Sequence, residues 1–360
     1  MLTSVVVRTK DEGPRLRLTL ASLARQTARV EVVVVNDGSS DETPAVLDEA
    51  RASLDLVVVT HASARGRSAA SNAGAKAAHG DLVVFLDGDT LAAPDTMARH
   101  IALHEDAPQD RWTIARGEKF HFRSTRFLHD PEAGTPRRGE EERVARLSVD
   151  ELGRMKVTRA MIHDDFGALA RRAEHGIYPG AGPRRLQEIE LDALRRHPEC
   201  AVLWAAACGS NLSMRRDAFL AVGGFNEAID CNEHRELALK LCERGARMAL
   251  VEGARAYHLT HRSGWRDPLR ENRWEQAFWH AHPLPAVKLL SVFWACIDLH
   301  PAVPPDARIA SLPELEAAAR GERGVDYDDI RRRLGLPGLA LPPITDRAGA
   351  ATGPATAVVR

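Results

Sequence analysis

The stretch LVVFLDGDT, residues 82–90, decides the fold class of this chain. Its five consecutive apolar residues read as a strand buried on both faces. Such strands belong to parallel sheets covered by helices. Asp87-Gly88-Asp89 then stops the strand with two carboxylates and a turn residue. Toward the N-terminus the same pattern recurs. Residues 4–9 (SVVVRT), 30–35 and 54–60 are β-branched runs, and residues 15–26, 43–52 and 68–79 between them carry helical patterns. Alternation of this kind predicts an α/β domain with a mostly parallel central sheet flanked by helices. Ligands of such sheets lie beyond the carboxyl ends of the strands. Residues 36–40 (NDGSS) and 87–90 (DGDT) both occupy those ends, so topology alone brings two polar clusters to one crevice.

Toward the C-terminus the character changes. Residues 120–198 are densely charged, with helical segments at 140–152, 155–174 and 184–196 broken by Gly and Pro. They read as a helical insertion beside the crevice, or as a solvated cap without a catalytic role. Apolar character returns at 201–208; residues 215–222 and 235–244 then read as helices and 248–251 as a strand. The expected organisation is a crevice-bearing first half over 1–119, the insertion over 120–198 and a second half over 199–262. A C-terminal helical extension over 263–340 and a disordered tail over 341–360 complete it.

Composition excludes several classes. With 49 Lys and Arg against 50 Asp and Glu, no global field steers the chain to nucleic acid or anionic lipid. Five cysteines without a C-x-x-C pair argue against a disulfide framework or zinc site and for a reducing compartment. The most membrane-like run, residues 286–297, is short and contains Lys288 and Ser291, so a packed helix is expected. A cytoplasmic protein follows, with peripheral membrane attachment left open.

In an extended segment residues i and i+2 point to one side. Asp87 and Asp89 are therefore expected to face a single hard cation, Mn²⁺ or Mg²⁺. In this setting the chain resembles the family 2 glycosyltransferases with the GT-A fold. SVVVRTKDEGPRLRLTLASLARQT resembles that family's opening strand and helix, VEVVVVNDGSSDET its nucleotide-binding strand and loop, and GRSAASNAGAKAAHGDLVVFLDGDT its approach to the D-x-D motif. CGSNLSMRRDAFLAVGGFNEAI resembles its acceptor-side segment. VEGARAYHLTH resembles the strand bearing the third metal ligand in chondroitin-polymerase-like and polypeptide GalNAc-transferase-like members. These stretches span residues 3–105 and 205–262.

The resemblance implies roles. Thr9 and Asp37 match positions contacting the uracil and ribose of a UDP-sugar, and Arg67 and Asn72 match positions near the nucleotide and sugar. Asp87 matches a ribose or metal contact, with Gly88 allowing close approach to the donor. Asp89 matches the direct metal ligand and His258 the third protein ligand, with His261 competing. The catalytic base departs from the family pattern. Where many members carry Glu-Asp, one residue, then Glu-Leu, this chain reads Glu233-His234-Arg235-Glu236-Leu237. Glu233 or His234 is expected to deprotonate the acceptor, and Glu236 to bind acceptor or brace the loop. Trp204 and Trp265 are either sugar platforms or core. The expected activity is metal-dependent transfer of a sugar from a UDP-sugar to a carbohydrate, small-molecule or peptide hydroxyl, with inversion. A nucleotide-sugar-binding protein with impaired catalysis, or a sugar nucleotidyltransferase, are the alternatives.

Overall fold

A computed structural model describes residues 1–108, 110–175, 185–229, 231–261, 269 and 272–339, and the backbone of 357–359. The first strands are β1 (Thr3–Thr9), β2 (Glu31–Asn36), β3 (Leu56–Thr60), β4 (Leu82–Asp87), β5 (Thr90–Ala92) and β6 (Thr113–Phe122). They alternate with helices α1 (Gly13–Leu23), α2 (Thr43–Ala50), α3 (Arg67–Ala77) and α4 (Thr96–Asp106). Strands β3-β2-β1-β4 are parallel neighbours, as the continuous apolar runs require.

Their period-2 alternation splits each strand between two cores. Val5, Val7, Val32 and Val34 pack with Leu16, Leu20 and Leu47 of α1 and α2. Val6, Val33, Val35 and Phe85 face the larger core on the other side. Each fully buried Val or Leu contributes roughly 1.5–3 kcal/mol. Helix α3 lies flush on the sheet because Gly74 has no side chain: a Cβ there would come within 2.4 Å of Val6 Cγ1.

The second half of the sheet is mixed. After the hairpin β7 (Leu128–Asp130)–β8 (Thr135–Pro136) and the short β9 (Glu174–His175) come β10 (Leu212–Arg215), β11 (Arg247–Leu259) and β12 (Ala357–Val359). β10 runs antiparallel to both β4 and β6, β11 runs parallel to β6, and β5 closes that edge antiparallel to β11. The parallel expectation therefore holds for the first four strands, and the later strands make the whole sheet mixed. At the other edge β12 pairs antiparallel with β3, so part of the tail expected to be disordered adds a strand to an unpaired edge.

The inserted segment is not purely helical. Its expected boundary at residue 120 falls inside β6, which continues to Phe122. Four short helices follow, α5 (Glu141–Ala145), α6 (Val149–Met155), α7 (Arg159–Asp164) and α8 (Phe166–Ala170), then α9 (Leu186–Arg196). Val157, Ile162 and Leu169 pack with Leu18 and Tyr257, and α9 buries Ile189 and Ala193 in the main core. Helices α10 (Arg216–Ala221), α11 (Glu233–Cys242), α12 (Arg273–Ala281), α13 (Pro285–Ile297), α14 (Leu312–Ala319) and α15 (Tyr327–Arg333) complete the chain. Helix α13 is the apolar run read from the sequence, and it is buried from Ala286 to Val287 and from Leu289 to Ile297. No helix among the described residues is long and apolar enough to cross a membrane. Among the described residues the five cysteines form no disulfide.

Helix α4 carries a buried polar pair. His100 Nδ1 lies 2.7 Å from Ser213 Oγ and its Nε2 lies 2.8 Å from Asn211 Oδ1. His104 Nε2 lies 2.9 Å from the same hydroxyl. Burial pushes His100 down to about 4. Burial, then repulsion from His100 and nearby arginines, pushes His104 down to about 3. Both are neutral in the fold, while the unfolded chain takes up their protons below about pH 6.5. Stability is therefore present above that pH and is lost as pH falls toward the folded values, by up to about 1.4 kcal/mol per pH unit per histidine. Denaturant unfolding between pH 7 and 5 checks this: His104→Gln is expected to flatten the slope relative to the parent, and equal slopes would refute the assignment.

Candidate active site

The carboxyl ends of β1, β2 and β4 and the end of β11 meet at a cleft of about 530 Å³. Arg8, Thr9, Lys10 and Glu12 come from the end of β1 and its loop, and Asp37 from the end of β2. Ala64, Gly66, Arg67 and Ala70 come from the start of α3, Asp87 and Asp89 from the end of β4, and His258 and His261 from β11 and beyond. The convergence predicted from topology is thus realised, with the β11 histidines added across the mixed half of the sheet.

β4 ends at Asp87, and Gly88-Asp89 form a turn into β5. The i, i+2 rule applies only to extended chain, so the two carboxylates part company. Asp89 is buried, with its Oδ2 at 3.1 Å from His258 Nε2 and at 3.1 Å from His261 Nε2. Burial acts to raise its carboxyl, but the two imidazoles hold it well below the usual carboxylate range. One ligand atom from each of Asp89, His258 and His261 lies within 4.8 Å of the others. Carboxylate oxygen with two imidazole nitrogens is a donor set suited to a divalent transition ion. Both His258 and His261, expected to compete for one place, reach Asp89.

Asp87 instead accepts from Arg8 Nε at 2.9 Å, with Lys119 Nζ at 3.7 Å. It lines the cleft but stands outside the three-atom group, which corrects the expectation that both aspartates ligate together. His121 Nδ1 lies 3.3 Å from His258 Nδ1, the ring nitrogen remote from Asp89. That contact orients the His258 ring, in the manner of a partner behind a metal ligand.

Asp37 lines the cleft with its carboxylate already engaged. Oδ1 lies 2.6 Å from His61 Nδ1 and accepts from Arg65 N, and Oδ2 accepts from Gly66 N at 2.9 Å. It therefore shapes the loop into α3, at whose first turn Arg67 stands exposed on the cleft wall. Thr9 is buried at the cleft floor. Asn72 is not on the cleft: its amide clamps the Phe225 backbone through Nδ2→O at 3.0 Å and N→Oδ1 at 2.8 Å. Gly88 is also off the cleft, buried beneath it. A Cβ there would meet Glu12 Oε1 at 2.5 Å and Thr9 Cβ at 2.9 Å. Gly88→Ala is expected to cost about 1–3 kcal/mol by overpacking and to displace both cleft residues. A Tm equal to the parent's would count against this.

Residues Glu233–Glu236 form the first turn of α11 rather than a loop, and their placement reorders the candidate bases. Glu233 is buried behind Arg8 and does not itself line the cleft: its Oε1 accepts from Arg8 NH1 at 2.9 Å, and Arg8 is the cleft residue it touches. Burial opposes its ionisation, yet the Arg8 guanidinium and His234 hold the carboxyl far below its ordinary value. His234 Nε2 accepts from Arg235 NH1 at 2.9 Å. Since arginine only donates, the neutral ring carries its proton on Nδ1 and has no free lone pair for an acceptor proton. Glu236 is buried away from the cleft, with Oε1 at 3.2 Å from His282 Nε2 and Oε2 at 3.2 Å from Lys240 Nζ. It ties the first turn of α11 to His282 and to Lys240 of the same helix.

Trp204 is core, edge-on to Phe278 at 5.8 Å between ring centroids. Trp265 lies outside the described residues. Three charged cleft residues, Arg8, Lys10 and Glu12, escaped the sequence reading. Arg8 is visible as a charge at the end of an otherwise β-branched strand. Glu12 has a carboxyl raised well above its ordinary value by burial and by Asp89 and Asp87. Nothing in its spacing marks it.

Residues 4–167 match the sequence model described as "Glycosyl transferase family 2". This stretch is a family 2 glycosyltransferase domain. The match covers the D-x-D turn and stops before β10 and β11. Among curated proteins, the chain is 34% identical over 108 residues to the uncharacterized glycosyltransferase YfnE of Bacillus subtilis, covering 29% of this chain and 28% of that protein. It is 29% identical over 125 residues to a poly-beta-1,6-N-acetyl-D-glucosamine synthase of Staphylococcus aureus, covering 34% of this chain and 25% of that protein. The chain thus spans about a third or less of the length of the curated relatives it matches. Among solved structures, S. aureus TarS 1–349 superimposes with a TM-score of 0.52 at 15% identity, covering 93% of this chain and 82% of that one. TarS 1–349 has also been solved with UDP-GlcNAc, and that structure gives the same TM-score at 14% identity, covering 93% of this chain and 83% of that one. The likeness establishes the GT-A fold over the family 2 domain and the segments that follow it.

Proposed function

We propose that this protein transfers a sugar from a UDP-sugar to an acceptor hydroxyl, with a divalent ion, Mn²⁺ or Mg²⁺, held by Asp89, His258 and His261, and with inversion at the anomeric carbon. The observation that carries this reading is the convergence of those three side chains at the mouth of a cleft that also holds Asp37, Arg67 and Lys10. The UDP-GlcNAc complex of TarS, a protein of the same fold, supports UDP as the nucleotide. When bound, such an ion offsets the charge that grows on a leaving diphosphate.

The chain's own residues do the rest. Asp37 and Thr9 border the nucleoside end, and Arg67 and Lys10 supply positive charge for phosphate oxygens. Glu233 is the proton acceptor, because His234 has no free lone pair and Glu236 is turned away. Arg8 lines the cleft and can pass from Glu233 to a phosphate, which would leave the carboxylate unpaired and more basic. The acceptor is a carbohydrate, a small molecule or a peptide.

A second reading draws on the same pair. If Arg8 stays on Glu233, the chain binds nucleotide-sugar and transfers nothing. UDP release from a panel of UDP-sugars, with and without Mn²⁺, separates the two. Metal-dependent release supports transfer, and metal-dependent UDP binding without release on any acceptor supports the second reading. Absence of both would overturn the nucleotide assignment.

A further inference from the structure

Helix α9 of the inserted segment places one carboxylate, Glu190, in the interior between β6 and α11. Its Oε2 accepts from Arg116 NH1 of β6 at 2.7 Å, and its Oε1 accepts from Arg235 NH2 of α11 at 2.6 Å. All three side chains are buried. Each guanidinium is otherwise satisfied by neutral groups. Arg116 donates to Ala206 O and Gly117 O; Arg235 donates to Ala205 O, to Asn232 Oδ1 at 2.6 Å and to His234 Nε2 at 2.9 Å. Asn232, the residue before α11, is left-handed with φ 66°.

A buried ion pair adds little net stability, because desolvation offsets most of the attraction. It does fix geometry, because each hydrogen bond is directional and costly to leave unmade. We propose that Glu190 is a positioning residue for the first turn of α11: through Arg235 it sets the His234 tautomer and the left-handed turn at Asn232, and thereby the place of Glu233. This assigns the inserted segment a part in catalysis. The catalytic part of the inference rests on the transferase reading above.

The test is Glu190→Gln in the full chain, an isosteric change that removes the charge and one acceptor. The first readout is ¹⁵N NMR of the His234 ring, which does not depend on turnover. The parent is expected to show the Nδ1–H tautomer and the variant a mixed or Nε2–H ring. The second readout is kinetic: kcat is expected to fall about 10- to 100-fold through misplacement, with donor KM and Mn²⁺ affinity unchanged. Should Glu190→Gln fail to fold, Arg235→Lys keeps the charge but cannot span Glu190, Asn232 and His234, and the same two changes are expected. A parent-like tautomer and kcat would overturn the proposal, as would a uniform loss of kcat, donor affinity and Tm. If the parent transfers no sugar, the transferase reading fails, and the tautomer alone decides whether Glu190 positions the first turn of α11.

Discussion

Asp89→Ala is expected to lower metal-dependent UDP release by about three orders of magnitude or more, the scale on which charge stabilisation at a leaving group acts. Its carboxylate is the oxygen shared by His258 and His261, each at 3.1 Å, so its removal dissolves the three-atom group. The fold should survive. The histidines are partly exposed, and water replaces the lost acceptor at a cost of about 1 kcal/mol. Mn²⁺ titration followed by electron paramagnetic resonance reads the same site without turnover, and Asp89→Ala is expected to abolish the bound signal. Asp87→Ala is the informative control. Asp87 is paired with Arg8 and stands outside the group, so the variant should retain Mn²⁺ binding. Full turnover in Asp89→Ala would sink the metal assignment. Loss of Mn²⁺ binding in Asp87→Ala would restore the two-aspartate site first read from the sequence.

Arg8→Met is expected to be the most destabilising single change at the cleft. Arg8 joins Asp87 to Glu233, with hydrogen bonds of 2.9 Å to each. Asp87 is partly exposed and keeps Lys119, but Glu233 is only 2% exposed and would be left buried without a counter-ion. Breaking such a pair from one side costs about 3–5 kcal/mol. The pH dependence gives the sign. In the parent, burial opposes ionisation of Glu233 but Arg8 outweighs it, so the folded value is depressed. That contribution to stability is present above the unfolded carboxylate value of about 4.3 and is lost as pH falls below it. In the variant only His234 and Arg67 still oppose burial, which raises the folded value relative to the parent, so the deficit is largest near pH 7 and narrows as Glu233 takes up a proton. Denaturant unfolding at pH 7.5 and pH 5 measures this. A deficit equal at both pH values would assign the loss to packing. Adding Glu233→Gln to Arg8→Met should recover most of the stability, since no buried charge then remains.

Much of this architecture is local and therefore legible. Strands β1 to β4 are written as β-branched runs, and helices α1 to α3 as helical spacings between them. A strand end carrying Asp-Gly-Asp is a crevice residue wherever the sheet is parallel. His258 was legible through its place in a motif, and α13 through its apolar content interrupted by Lys288. The difficulties begin where a side chain's direction depends on a turn. Asp87 and Asp89 diverge because the chain leaves the extended conformation at Gly88, and spacing alone does not encode where a strand stops. Asn72 and Gly88 look like site residues in a linear motif, yet they serve packing.

By itself the sequence determined the α/β alternation, the crevice at the strand ends and the residue types available there, because propensity and hydrophobic period act over a few residues. The tertiary structure decided the partnerships. It took Asp89 to His258 and His261, Asp87 and Glu233 to Arg8, and Glu190 to Arg116 and Arg235. Each of those contacts joins segments from 45 to 225 residues apart in the chain. Which charges meet across such distances is set by sheet order and by the cost of burying a charge alone, and neither is readable along the chain.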